Sequence, residues 1–135
     1  MVALVLATAI FAGTPAAAAS PAAQIRTNWI TFFSSRTPPA RKVALLQNGD
    51  KFAAIIRLQA KSPLNKDVSA KVLAVQLTSK TTAAVRYTIL IDKAPALKNE
   101  KGSAVYEDHT WKVSASSFCA LLALEGTKTA ACPKS

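Results

Sequence analysis

The chain has 135 residues, half of them hydrophobic, and carries seventeen Lys and Arg against seven Asp and Glu, a net charge of +10. That length makes one domain with enough core to fold without a metal, and the hydrophobic content excludes a disordered chain. The basic residues are spread singly, with Arg41-Lys42 the only adjacent pair, which excludes a basic nucleic-acid arm and predicts a diffuse positive field suited to loose contact with anionic envelope lipid or polymer.

No charge precedes Arg26, and the apolar stretch Val2 to Ala12 runs into Thr14-Pro15, four alanines and Ser20-Pro21. An apolar core of that length fits a secretion signal and falls short of the ~20 residues a membrane span needs. Ala17 and Ala19 satisfy the A-x-A demand of signal peptidase, so cleavage is expected between Ala19 and Ser20, leaving 1–19 as signal peptide and 20–135 as one α+β domain. The signal lacks a basic opening, which implies a true start upstream of Met1; an uncleaved membrane tether stays open as the alternative. After cleavage no membrane span is expected.

Ser20-Pro21 is a helix start, and Ile25, Trp29, Phe32 and Phe33 then fall on one helical face. Thr37-Pro38 repeats the start signal before Val43, Leu45 and Leu46, and Asn48-Gly49 stops this second helix. Asp50 is a cap candidate for a third helix, with Phe52, Ile55, Ile56 and Gln59 along one side up to Ser62-Pro63. Beyond Asp67 the period falls toward two. A first strand spans 68–78, where consecutive Leu73, Ala74 and Val75 imply burial on both faces or a bulge. A second spans 83–91, with Val85, Tyr87, Ile89 and Ile91 inward and Arg86 and Thr88 outward. A connection through Pro95 and Lys101-Gly102 leads to a strand over 104–107, a turn through Glu107-Asp108-His109, and a strand over 110–114 with Trp111 and Val113 inward. Ser116-Ser117 then caps a short helix that ends at Gly126. Three helices followed by about four antiparallel strands make a segregated α+β fold.

Cys119 and Cys132 are the only cysteines. An even pair in an exported chain, without a nearby His or third Cys to form a zinc site, reads as a structural disulfide worth about 3 kcal/mol in the chain-entropy model. No metal or cofactor is expected.

Asn28-Trp29 with Phe32-Phe33, the run Lys42 to Gly49, Phe52-Ala53, Val85-Arg86-Tyr87, and Trp111 to Ser114 with Ser117-Phe118-Cys119 together resemble the actinobacterial secreted low-molecular-weight antigen family, over residues 22–133. The resemblance implies a cone of the nuclear-transport-factor-2-like or cystatin-like kind, in which a curled antiparallel sheet wraps the helices. It also implies an exported protein of mycobacteria or their relatives with no established enzymatic activity. Where this family usually has Asp-Gly before a Trp strand, this chain has Asp108-His109, so His109 must take a turn conformation that glycine adopts more readily.

His109 is the only histidine, yet its place in a hairpin turn argues for a turn residue over a catalyst. Asp50 reads as a cap, and Asp92 as a solvated strand end. Trp29, Phe33, Phe52, Tyr87 and Trp111, with Phe32 and Phe118, either fill the core or line a pocket for a small apolar ligand. No catalytic constellation is visible, and the leading expectation is a non-catalytic ligand-binding or interaction module. A small pocket enzyme of the isomerase or dehydratase type, supported by fold analogy alone, would need an ionisable group inside the cone, for which Tyr87 is the candidate. A cationic binder of anionic envelope components is the third reading.

Overall fold

A computed structural model describes residues 19–63 and 67–133. The expected leader lies outside the described residues except for Ala19, and Ser20, the first residue after it, starts helix α1 (Pro21–Phe33) as expected, its side chain accepting a hydrogen bond from the Ala23 amide at 3.2 Å. The amphipathic spacing buries Ile25, Trp29 and Phe32 along one side, because residues three and four apart share a helix face.

Helix α2 (Pro39–Ala44) departs from expectation at its start. Pro38, not Thr37, is the cap residue and gives no side-chain bond; the Thr37 hydroxyl instead donates back to the Thr31 carbonyl at 2.6 Å. Asn48 then adopts the left-handed conformation at φ 56°, and a 3₁₀ turn over Gly49–Phe52 leads into α3 (Ala53–Ala60). Asp50 therefore lies inside the turn and caps nothing by its side chain. Gly49 is required here for another reason: a Cβ would collide with the Val43 carbonyl oxygen.

Four antiparallel strands follow in sheet order β1-β2-β3-β4: β1 (Val68–Leu77), β2 (Thr82–Ile91), β3 (Ala94–Glu107) and β4 (Thr110–Val113). The consecutive Leu73, Ala74 and Val75 are resolved as a bulge, with the register slipping between Val72 and Ala74 so that Leu73 is extra. Strand β3 begins ten residues earlier than the expected position 104, directly after a two-residue turn at Asp92-Lys93. Pro95 is tolerated in it because β4 pairs only with Ala104–Glu107, so the first part of β3 has a free edge that needs no amide donor. Both tight turns, Asp92-Lys93 and Asp108-His109, hold their central residues at positive φ, the conformation whose twist matches the flanking strands.

Helix α4 (Ala115–Leu124) is capped by Ser114, two residues before the expected Ser116. Ser114 wins because its hydroxyl is also bonded to Ser103 on β3 and to Ser117, each at 2.7 Å, so one buried network fixes cap and strand together. The helix stops before Gly126 at φ 75°. A Cys119–Cys132 disulfide ties the following tail to α4.

The helices pack on the inner side of the curled sheet, giving the expected α+β cone. On one side the chain after α2 extends the sheet: Val113 donates to the Leu45 carbonyl and Gln47 donates to the Val113 carbonyl, both at 2.9 Å. The core runs through Ile25, Trp29, Leu45, Leu46, Phe52, Val85, Tyr87, Val113 and Leu122, all essentially closed to solvent.

Candidate functional site: a cavity at the open end of the cone

The inner row of β2 runs Ala83, Val85, Tyr87, Ile89 and Ile91, and the two ends of that row have different surroundings. Around Tyr87 the packing is tight. Trp29 lies with ring centroids 5.2 Å from Tyr87 and 5.8 Å from Phe33, and Phe33 stacks on Tyr87 at 5.6 Å. Gly102, opposite Val85 on β3, makes this possible: a Cβ there would stand 2.9 Å from the Trp29 ring and 3.0 Å from that of Tyr87. Trp29 pays for its position with a buried indole N–H that has no acceptor among the described residues. The Tyr87 phenol is pushed up to about 12, by burial first and by the negative charge of Glu100 second.

Past Ile89 the same row opens into a cavity of about 580 Å³, within the range typical of small-molecule sites. Its sheet wall is Val68, Ile89, Ile91 and Leu97, its base Phe32, Phe33, Ile56 and Phe118, and its helical wall Leu121, Leu122 and Leu124 of α4. Polar groups are few and sit together with these: Lys42, Gln59, Ser62, Glu125 and Thr127. Gln59 of α3 donates to the Glu125 carboxylate at 3.4 Å, linking the ends of α3 and α4. Burial pushes the Lys42 ammonium below its ordinary range. It pushes the Glu125 carboxyl above its own, with the Gln59 bond partly opposing. Both shifts report polar groups held among apolar atoms rather than in bulk water.

Of the aromatic residues considered for a pocket, Phe32, Phe33 and Phe118 border the cavity, and Trp29, Phe52, Tyr87 and Trp111 do not. Trp29 and Tyr87 fill the packed half. Phe52 sits against Phe118 with centroids 5.3 Å apart, and Trp111 pairs with Tyr106 at 5.3 Å under the β3–β4 hairpin. His109 is exposed in its turn at φ 58°. The hydroxyls of half-buried Ser103 and of buried Ser114 and Ser117 are bonded to one another and to backbone, with no His or carboxylate among those partners. Among the described residues no group of three or more His, Cys, Asp or Glu is placed to hold a metal ion, and no helix is long and apolar enough to cross a membrane.

Sequence reasoning missed Lys42, Glu125 and the leucines of α4. A signal existed for the last of these: Leu121, Leu122 and Leu124 exceed one helical face, and Leu124 is left 63% exposed at the cavity rim. Nothing local marks Lys42 or Glu125, which meet the cavity only because α2 and α4 converge on it.

Comparison with curated proteins finds no match. The family model for the C-terminal domain of the low molecular weight antigen MTB12 matches residues 17–129, a span that takes in α1 through α4, the whole sheet and all the residues named on the cavity wall. The chain belongs to this low molecular weight antigen family.

Proposed function

We propose that this protein is an exported, non-catalytic binding module that holds a small apolar or amphiphilic molecule in the cavity at the open end of its cone. The observation that carries this reading is the contrast within one β2 row: the side chains around Tyr87 are filled to contact, while those beyond Ile89 border an open volume of about 580 Å³. A sequence selected only for a stable core would close that volume, since each unfilled methyl-sized gap costs stability. Export is supported by the uncharged leader, by the disulfide and by the antigen family.

Nile red, a neutral dye, tests the cavity without interference from the positive surface. The expected result is one dye per protein with a blue-shifted emission, abolished by Leu97→Trp, which places an indole in the cavity while circular dichroism stays unchanged. Binding that is absent, or that survives Leu97→Trp unaltered, removes the reading. A small substrate turned over by the wild type and not by Lys42→Met would replace it with the pocket-enzyme alternative.

A further inference from the structure

The basic residues are scattered in the sequence, but the fold gathers five of them on the outer face of the sheet. Lys71 lies opposite Thr88, and Arg86 lies opposite Lys101. Lys71, Lys93 and Lys98 line a shallow outer groove together with Thr88 and Asn99. Arg86 is held in place by donating to the Asn99 side-chain oxygen at 3.0 Å, and the Asn99 backbone N–H donates to the Thr88 hydroxyl at 3.1 Å. None of the five cations is ion-paired among the described residues, where the sole ion pair joins Lys112 to Asp108. Of the nearby carboxylates, Glu100 stands opposite Tyr87 on the inner row, and Asp92 lies in the adjoining turn at the margin of the face.

The groove is not only charged. Leu73, the extra residue of the β1 bulge, is pushed outward and left 45% exposed, and it shares the groove with Leu90 and Pro95. Unpaired lysines interleaved with projecting aliphatic groups match a surface that is anionic at its head groups and apolar just beneath. A soluble polyanion would use the lysines and leave the leucine idle.

We propose that the outer face of the sheet docks on an anionic phospholipid bilayer, with Lys71, Lys93 and Lys98 over the head groups and Leu73 inserted between them. The inner cavity plays no part in this contact, so the proposal stands or falls separately from ligand binding.

The experiment is co-sedimentation with phosphatidylcholine vesicles, with and without phosphatidylglycerol, using the folded protein. Retention is expected on the anionic vesicles alone and is expected to weaken in high salt. Lys71→Gln/Lys98→Gln should lose about 30-fold in affinity, as expected for two cations removed from an anionic surface. A control that removes two cations from the helical side, Lys51→Gln/Arg57→Gln, should lose less than about 2-fold, because those side chains face away from the docked sheet. All four positions are exposed, so circular dichroism should show each variant folded. Leu73→Ser should weaken vesicle binding several-fold and leave binding to soluble polyphosphate unchanged. The proposal is overturned if the wild type is not retained on anionic vesicles, or if the helical-side control loses as much as the sheet-face variant. It is also overturned if Leu73→Ser binds vesicles like the wild type, which would assign the face to a soluble polyanion.

Discussion

The two halves of the cone are built from the same strands and differ in what the helices bring to them. In the closed half α1 lays Trp29 across a glycine on β3, and Tyr87 and Phe33 complete the packing. In the open half the facing elements are the short α2, the end of α3 and the leucines of α4, which border a volume instead of filling it. The tight packing of this protein is therefore concentrated at one end and its open volume at the other. A strand row can serve both ends because side chains alternate strictly, so the inner positions remain inner while their partners change.

The sharpest way to break this comparison is Trp29→Ala, expected to cost about 3–5 kcal/mol as a cavity opens in packed surroundings. Urea unfolding should show a lower midpoint with an unchanged slope; a loss under about 1 kcal/mol would mean that the closed half is not the stabilising one. Gly102→Ala is expected to cost about 2 kcal/mol by overpacking against Trp29 and Tyr87, read in the same assay.

Alkaline pH probes the same packing without mutation. The folded Tyr87 phenol is raised to about 12 against an ordinary 10.0, so the folded state favours the protonated form. Its contribution, roughly 3 kcal/mol, is complete below pH 10 and is lost as the pH rises through about 12. A tyrosinate absorbance step near pH 12, coincident with loss of structure, is the expected observation. A Tyr87 that ionises near pH 10 in the folded protein would show that the aromatic cluster is wet.

His109→Gly should stabilise by about 1 kcal/mol, since φ 58° costs a residue with a Cβ and costs glycine little. Leu124→Ser, at the rim of the open half, should change stability by less than about 0.5 kcal/mol while weakening Nile red binding. A large destabilisation there would mean that the open half is packed after all.

Much of the fold was legible before any coordinates. The Ser20 cap, the face Ile25-Trp29-Phe32, the alternation from Val85 to Ile89 and the turn at Asp108-His109 each follow from a local rule, and local rules act within a few residues. The misplaced starts have one common cause. Asp50, Thr37 and Ser116 are each acceptable caps by residue type, but the cap is awarded by what else the neighbourhood bonds, as Ser114 shows through Ser103 and Ser117. The early start of β3 was hidden by Pro95, which is unfavourable in a central strand and harmless on the free edge that only the pairing with β4 defines.

The sequence by itself determined the class of fold, the disulfide pair, the inward ladder of β2 and the strained histidine turn, because periodicity, parity and turn chemistry are written along the chain. Tertiary structure alone decided that Trp29 and Tyr87 fill one half, that Phe32, Phe118, Lys42, Glu125 and the α4 leucines frame a cavity in the other, and that scattered lysines converge on the outer sheet face. These are distances between residues far apart in sequence, and no local spacing encodes them until the register of the strands and the seating of α1 fix which side chains meet.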